Sequence, residues 1–394
     1  MNIVADRNIA LVAEAFEQFG DVSLETGRNI DAGRLACADI LLTRSQTNVN
    51  AALLDNTPVK WVGSATSGTE HVDTQYLEQR GIGFADARGS NAVSVVEYVC
   101  SVLAALCELR GCGLQDFSVG VVGYGEIGTR LVERLELLEI ACKVNDPLIE
   151  GRVARKFSPL AEVLRADIVT LHVPLTCGRD MPTAGLIGAA ELELMRPHAV
   201  LINAARGGVV DEQALLVALE QRPAMAAVID CWRGEPAVNV ELLERAWIAT
   251  PHIAGHSYDG KVNGTRQIYA AACDYFAASP NWLSSLQADD ANEITAPESL
   301  QRLLLDCYDI RRDNREFKRC LKLSESERAK QFDRLRGDYP KRREFSARRV
   351  DGEIEGVSAS TLNALGFKNY NAVEDTSNAN ATHDDPSRKP TKIT

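Results

Sequence analysis

The sequence predicts an α/β protein with two doubly wound parallel sheets, followed by a small α+β unit. Short β-like runs alternate with helical patterns almost from the first residue, and this alternation is typical of a parallel sheet covered by helices. A second series of the same kind begins after residue 110, and a charged helical segment follows it. We therefore expect two α/β domains and a third, smaller unit within the 394 residues.

The first series contains the β-like runs NIVA, DILLT, VKWVGSA and IGFADA, with helical patterns between them. From Asn91 to about Arg110, apolar residues recur every three or four positions behind a cap candidate at Ser90 or Asn91. This spacing predicts a long helix that joins two domains.

The second series contains the β-like runs FSVGVVG, ACKVND, DIVTLHV, AVLINA and AAVID. The helical pattern after residue 255 indicates that the chain returns to the first domain there. The last 24 residues have almost no large apolar side chains, which is typical of a disordered tail. The expected division is 1–92 with 255–282 for the first domain, 93–254 for the second, 283–370 for the third and 371–394 for the tail.

Composition narrows the class of protein. Hydrophobic residues make up 45% of the chain, which is enough for substantial cores, and the net charge is −12 with an isoelectric point near 5.1. Such a charge argues against a general nucleic-acid or anionic-membrane surface. The first residues lack a secretory pattern, and we expect no membrane span, so the cytoplasm is the expected compartment.

The ten cysteines stand singly, with no CxxC pair. We expect reduced packing thiols, no disulfide and no metal site, because free cysteine behaves as a small buried hydrophobe.

The stretch VGVVGYGEIGTRLVERL predicts a dinucleotide site. Its Gly123, Gly125 and Gly128 lie between a β-like run and a helical run, where glycines permit a tight turn and the helix N-terminus offers N–H groups to a pyrophosphate. Asp146 ends the next β-like run, where a carboxylate can bind both ribose hydroxyls. A 2′-phosphate would meet that charge, so NAD is favoured over NADP. The alternative is a structural turn with a capping aspartate.

Three polar residues follow three successive β-like runs: Arg206, Glu235 and His252. The carboxyl ends of parallel strands meet at one crevice, so these residues can come together there. Arginine suits a substrate carboxylate, histidine suits proton transfer near neutral pH, and a glutamate can orient the histidine ring. Singly, each residue could equally be a surface arginine or part of a turn.

From residue 1 to about 280, these motifs resemble the D-2-hydroxyacid dehydrogenase family, through WVGSATSGTEHVD, INAARGGVVDE, RGEPAVNVELL and TPHIAGHSYDGKVNGT. The resemblance implies a flavodoxin-like substrate domain and a Rossmann NAD domain. It implies Arg206 and Glu235 as catalytic residues and His252 as the proton donor in reduction. Past residue 280, LLLDCYDIRRDNREFK and YPKRREFS resemble the C-terminal dimerisation domain of one branch, which implies a homodimer and a small phosphorylated hydroxy acid as substrate.

The resemblance also implies particular contacts. Substrate contacts are expected at Ser45, Thr66 and His256, the last at a position that is often tyrosine. Val173 stands where threonine is common, which leaves only backbone and apolar contact. The expected NAD contacts are Gly123, Gly125, Glu126, Ile127, Gly128, Asp146, Val173, Ala204, Ala205, Arg206, Asp230 and Gly255.

A phosphorylated acid needs cations beyond Arg206. The candidates are Arg44, Arg88, Lys341, Arg342, Arg343, Arg348 and Arg349. The last five could equally form a solvated helix face, and the sharper hypothesis is that a dimer partner contributes one of them to the phosphate.

Two other functions stay open from the sequence: a sibling dehydrogenase for 3-phosphoglycerate or glyoxylate, and a non-catalytic NAD-responsive binding protein. The intact Arg, Glu and His set favours an enzyme, and the cleft between two lobes predicts domain closure.

Overall fold

The computed structural model describes residues 1–178, 181–282 and 292–369. The predicted tail, 371–394, lies outside the described residues, as does the start of the predicted C-terminal unit.

The first sheet has five parallel strands in the order β2-β1-β3-β4-β5, which is the flavodoxin-like order. Its strands are β1 (Asn2–Asp6), β2 (Asp21–Glu25), β3 (Ile40–Thr43), β4 (Trp61–Ser64) and β5 (Gly83–Asp86), and its helices are α1 (Val12–Phe16), α2 (Ala51–Leu54) and α3 (Thr74–Arg80). The sequence predicted every strand except β2. That strand lies at the sheet edge and is mostly exposed, so it carries no apolar pattern.

The second sheet has six parallel strands in the order β11-β10-β9-β8-β6-β7. Its strands are β6 (Ser118–Val122), β7 (Ala141–Asn145), β8 (Ile168–Leu171), β9 (Val200–Asn203), β10 (Ala226–Ile229) and β11 (Ile248–Ala249). Its helices are α5 (Glu126–Leu137), α6 (Leu160–Val163), α7 (Ala189–Leu194), α8 (Glu212–Gln221) and α9 (Val240–Arg245). The chain reverses direction across the sheet at β6, which is where doubly wound folds bind ligands.

Two long helices join the sheets. The predicted helix is α4 (Ala92–Arg110), although Asn91 makes no capping bond and instead accepts a hydrogen bond from the Ser67 hydroxyl at 2.6 Å. Helix α10 (Tyr258–Tyr275) returns to the first sheet, as predicted. Helix α4 is long and apolar enough to cross a membrane by length and composition alone. However, 83% of its apolar window is buried against the rest of the protein, as in a core helix.

The C-terminal residues form a smaller α+β unit, as predicted. Its strands β12 (Asn292–Thr295), β13 (Arg348–Asp351) and β14 (Lys368–Asn369) make a parallel sheet, and its helices are α11 (Leu300–Cys307), α12 (Ile310–Lys318), α13 (Glu325–Gly337) and α14 (Ala359–Leu365). Side chains of α11 share one continuous apolar core with α4 and the second sheet. All ten cysteines are free, as predicted, and six of them are buried.

Helix α13 is anchored to the second domain by three aromatic rings. Phe332 packs edge-on against Phe317 with ring centroids 5.7 Å apart, and Phe317 packs against Trp232 at 5.8 Å. The Trp232 indole N–H donates to the Thr250 carbonyl at 2.8 Å. Both phenylalanines are fully buried, so this stack holds α13 beside the loops that follow β10 and β11.

Phe317→Ala should lower the free energy of unfolding by about 3–5 kcal/mol, because the substitution leaves a cavity between α13 and the second domain. Thermal unfolding of the full chain measures the loss. Leu109→Ala is the control, since the Leu109 side chain is 65% exposed. Equal melting temperatures for the two variants would contradict this packing.

Candidate active site

The carboxyl ends of the two sheets face one cleft. Arg206 follows β9, and Glu235 and His252 lie in the loops after β10 and β11. Arg206 and His252 line a cavity of about 230 Å³ together with loops that follow β3 and β4 of the first domain. A second cavity of about 490 Å³ shares Arg206 and His252 and is also lined by Glu235. The three predicted catalytic residues are therefore gathered in one place.

Glu235 and His252 form a hydrogen-bonded pair. The His252 Nδ1 and Glu235 Oε2 atoms are 2.7 Å apart, and the other carboxylate oxygen accepts from the Trp232 backbone N–H at 2.7 Å. Burial lowers the pKa of His252, but the neighbouring Cys231 sulfur and the Glu235 carboxylate raise it, and its pKa lies well above the usual value. Burial raises the pKa of Glu235, but His252 outweighs this and the pKa is lowered. The pair thus favours a charged carboxylate beside a basic imidazole.

Asp230 holds the loop that carries His252. Its buried carboxylate accepts hydrogen bonds from the backbone N–H groups of Ile253 and Ala254, at 2.7 and 3.0 Å, and from the Thr250 hydroxyl at 2.6 Å. His252 itself has a φ of 55°, an uncommon conformation for a residue with a side chain. Because these bonds surround His252 on both sides along the chain, they set the direction of its ring.

Arg206 is paired with Glu70, which the sequence did not single out. The Arg206 Nε–H donates to Glu70 Oε1 at 2.8 Å, and Nη1 donates to the Ala205 carbonyl at 2.8 Å. Burial lowers the pKa of Arg206, but Glu70 and other neighbouring groups raise it by more than burial lowers it. The net pKa is therefore raised, and the guanidinium stays charged. A Cβ at Gly207 would collide with the Trp232 carbonyl, so glycine is required for this close approach to the β10 loop.

The glycine fingerprint has the geometry of a dinucleotide turn. Gly123 has a φ of 100°, and a Cβ at Gly128 would collide with the Gly123 carbonyl oxygen. Helix α5 begins at Glu126, and the space beside the Cβ position of Gly125 is open, as a pyrophosphate requires. Asp146 lies against the same turn, where its carboxylate accepts from the Tyr124 N–H at 2.8 Å. These residues fit a dinucleotide with free ribose hydroxyls.

The other predicted residues divide into two groups. Those that line the 230 Å³ cavity are Ser45, Thr66, Ile127, Ala204, Asp230, Gly255 and His256. Those outside that lining are Gly123, Gly125, Glu126, Gly128, Asp146, Val173 and Ala205. Val173 lies beside the fingerprint turn, since a Cβ at Gly123 would touch its side chain at 3.0 Å.

Among the described residues, one group has metal-ligand spacing. Donor atoms of Cys231, Glu235 and His252 lie within 4.8 Å of one another. Two of these atoms already share the Glu235–His252 hydrogen bond, which is the arrangement of an acid–base pair.

Three cations line the 230 Å³ cavity besides Arg206: Arg44, Lys261 and Arg336. Burial lowers the pKa of His256 well below its usual value, and all three cations lower it further, so its ring is neutral. Of these cations the sequence pointed only to Arg44. Lys261 lies in the motif SYDGKVNGT, which could have indicated it, whereas Arg336 lies in a charged helix without a distinguishing signal.

The other cations proposed from the sequence for a phosphate do not line this cavity. Arg342 is buried, where it donates to the Ala254 carbonyl at 2.8 Å and lies over the Tyr308 ring. Arg343 pairs with Asp259 at 3.1 Å, and Arg88 pairs with Asp86 at 3.2 Å. The helix-face alternative was wrong, because residues 341–349 are irregular backbone, one short turn and the start of β13. The hypothesis that a dimer partner contributes one of these cations stays a prediction.

Comparison with known proteins adds three findings. Residues 104–254 match the NAD binding domain of D-isomer specific 2-hydroxyacid dehydrogenases, and residues 279–366 match a domain of unknown function, DUF3410. Erythronate-4-phosphate dehydrogenases from Marinobacter nauticus and Hahella chejuensis are 44% and 42% identical, over 93% of this chain and 99% of theirs. The 3-phosphoglycerate dehydrogenase of Entamoeba histolytica, solved with NAD⁺, has a TM-score of 0.59 at 22% identity and covers 70% of this chain and 95% of its own.

Fold, site and comparisons together define an NAD-dependent dehydrogenase of the 2-hydroxyacid class. Within that class, the chain belongs to the family of erythronate-4-phosphate dehydrogenases. The resemblance drawn from the sequence motifs, including those past residue 280, is therefore confirmed.

Glu70→Gln should lower the KM for the hydroxy acid by roughly two- to fivefold, because the substrate carboxylate then no longer competes with a charged Glu70 for Arg206. Steady-state NADH formation measures this change. Glu241→Gln is the control, since Glu241 pairs with Arg245 on exposed α9. A higher KM in Glu70→Gln would instead mean that Glu70 orients Arg206 for binding.

Proposed function

We propose that this protein oxidises 4-phospho-D-erythronate to (R)-3-hydroxy-2-oxo-4-phosphobutanoate with NAD⁺ as the acceptor, a reaction of pyridoxal 5′-phosphate biosynthesis. The family supports the substrate. The observation that carries the chemistry is the Glu235–His252 pair beside Arg206 at the edge of one cleft.

His252 acts as the base in this direction. Its Nδ1 position is engaged by Glu235, which leaves Nε2 to accept the proton of the C2 hydroxyl. The Glu235 carboxylate then stabilises the imidazolium that forms. In the reverse direction the same Nε2–H returns the proton, so His252 is the proton donor in reduction.

Arg206 binds the substrate carboxylate. Its Nε–H is shared with Glu70, and the Glu70 side chain is 56% exposed, so an incoming carboxylate can displace it at small cost. A planar guanidinium then holds the carboxylate in one plane, which orients the C2 hydrogen. Ser45, Thr66 and His256 are proposed as further substrate contacts, because all three line the same cavity.

NAD⁺, when bound, supplies the hydride acceptor. The proposed contacts of this chain with it are the fingerprint turn with Glu126 and Ile127, the Asp146 carboxylate, Val173, the run from Ala204 to Arg206, Asp230 and Gly255. The open N-terminus of α5 and the placement of Asp146 against the turn support this assignment.

We also propose that the enzyme is cytoplasmic and works as a homodimer through its C-terminal unit. The division into a substrate domain, an NAD domain and a dimerisation domain, at the boundaries predicted above, belongs to the same proposal. The two separate parallel sheets and the third small sheet support it.

Turnover with 4-phospho-D-erythronate, 3-phosphoglycerate and glycerate should separate the proposed function from the sibling reactions. We expect the highest kcat/KM for 4-phospho-D-erythronate, measured by NADH formation with and without an added 2-oxo acid acceptor.

His252→Asn should lower kcat by about 10²- to 10⁴-fold while NADH binding is retained. Full turnover in that variant would rule out His252 as the base, and turnover of 3-phosphoglycerate alone would rule out the substrate.

The rate of oxidation should rise with pH through the raised pKa of His252, because the base must be neutral. In Glu235→Gln the negative charge that raises this pKa is lost, so the rising limb of the pH profile of kcat/KM should move to lower pH, and kcat should fall. Glu212→Gln is the control, since Glu212 accepts from the Arg233 backbone N–H outside this pair. An unchanged midpoint in Glu235→Gln would show that another group controls the limb.

A further inference from the structure

Three cations in the active-site cavity form no ion pair with the residues that the structure describes. Arg44, Lys261 and Arg336 make no side-chain hydrogen bond or ion pair with any of the residues that the structure describes. Arg336 has a buried Nε atom that lacks a hydrogen-bond partner. The two acidic groups of the same cavity are already engaged, Glu70 by Arg206 and Asp230 by the loop around His252.

The three cations come from three parts of the chain. Arg44 directly follows β3 of the first domain, Lys261 lies in the first turn of α10, and Arg336 lies in the last turn of α13. No single element explains why they meet. Each lies close enough to His256 to depress the pKa of its ring, so the four groups are neighbours in space.

The contacts of α13 with both domains hold Arg336 at the active-site cavity. Phe332, one turn earlier, is buried against Phe317 of α12 in a core shared with the second sheet, and Asp333 pairs with Arg28 of the first domain at 2.6 Å. Helix α13 therefore contacts both sides of the cleft, and Arg336 extends the same helix into the cavity between them.

Burial and mutual repulsion both disfavour the charged forms of Lys261 and Arg44. Burial, together with the nearby charge of Arg44, lowers the pKa of Lys261 to about 8. Burial also lowers the pKa of Arg44, and Arg336 adds to this against the opposing effect of Asp6. Like charges gathered around one cavity favour an anion of high charge, and a phosphoryl group with about two negative charges suits three cations.

We propose that Arg336, with Arg44 and Lys261, forms the subsite that binds the phosphate of the substrate, so that the C-terminal unit contributes a specificity-determining residue to the active site. This inference rests on the proposed function for the identity of the phosphorylated acid. It gives the region matching the domain of unknown function a role in substrate recognition within its own chain, in addition to any role in dimerisation.

The subsite explains how the enzyme selects a phosphorylated acid. Arg206 can bind the carboxylate of any 2-hydroxy acid, so it does not distinguish erythronate from 4-phosphoerythronate. The three cations add favourable contacts only when the second anionic group is present. An unphosphorylated acid leaves them without counter-charge, which penalises its complex.

The test compares Arg336→Gln with Arg334→Gln in the full-length protein. Arg334 lies on the same helix but is exposed and pairs with Asp338 at 3.5 Å, so its variant is a matched control. The measured quantity is the ratio of kcat/KM for 4-phospho-D-erythronate to that for D-erythronate. In Arg336→Gln this ratio should fall roughly 10- to 100-fold, the range for loss of a hydrogen bond between charged groups. Arg336→Lys should restore part of it, and Arg334→Gln should leave it unchanged.

An unchanged ratio in Arg336→Gln would overturn the proposal, and so would an equal loss with both substrates. Melting temperature and NADH affinity establish that the variants are folded. If Arg336→Gln does not fold, Arg44→Gln on the other side of the cavity replaces it. The ratio is again expected to fall, and an unchanged ratio again overturns the proposal.

Inorganic phosphate separates this inference from the proposed function. If the wild-type protein fails to oxidise 4-phospho-D-erythronate, the proposed function is wrong, yet calorimetric binding of inorganic phosphate still tests the subsite. Wild-type protein and Arg334→Gln should bind phosphate alike, and Arg336→Gln should bind it about tenfold more weakly. Equal binding by all three proteins, or no binding by wild type, would overturn the subsite.

Discussion

The Glu235–His252 hydrogen bond is the interaction on which the site depends. It joins the loop after β10 to the loop after β11, and it engages one ring nitrogen of His252, a residue that lines the cleft. Asp230 makes this bond possible, because its buried carboxylate accepts from the backbone on the far side of His252 and from the Thr250 hydroxyl. A charge buried in that way is costly unless fully hydrogen-bonded, and here three donors satisfy it. The strand ends of the parallel sheet thus place Glu235 and His252 close together, and the carboxylates of Glu235 and Asp230 fix the orientation of the His252 ring.

Anion recognition organises the rest of the cleft. The chain carries a net charge of −12, yet four cations line this one cavity. One of them, Arg206, forms an ion pair with Glu70, whereas the other three form none with the residues that the structure describes. Concentrating positive charge at one place on an acidic protein favours a doubly anionic ligand there and discourages anions elsewhere. The pyrophosphate of a dinucleotide does not require these cations, because the backbone N–H groups at a helix N-terminus can bind it.

The C-terminal unit is structurally inseparable from the cleft. Its helix α11 shares the core of α4 and the second sheet. Phe332 of its helix α13 packs against Phe317 of α12, which in turn packs against Trp232 of the second domain. The same α13 pairs with Arg28 of the first domain. Because the C-terminal unit contacts both the first and the second domain, a change in the distance between those domains changes its contacts. Closure of the cleft around a substrate would therefore involve α13 directly.

Much of the fold was predictable from local pattern. Alternating apolar runs marked every strand of the first sheet except the exposed edge strand β2, whose residues have no buried face to create a pattern. The long helix α4 was predicted from apolar residues that recur every three or four positions. In the structure nearly all of its sides are buried. The fingerprint glycines, Arg206, Glu235 and His252 were identifiable because each directly follows a strand, and strand ends meet in a parallel sheet.

The sequence by itself determined the two parallel sheets, the glycine turn after β6 and the candidate acid–base residues, since these depend on periodicity and on short spacings along the chain. Only the tertiary structure decided the partners of those residues. Glu70 reaches Arg206 across 136 positions, and Arg336 reaches the cavity from a helix that no motif marks. The tertiary structure also shows that Arg342 and Arg343 do not bind the phosphate in the cavity of their own chain, because both bind other groups of the protein. The physical reason is that charge pairing depends on distance in space, and the packing of α13 and of the loops sets that distance.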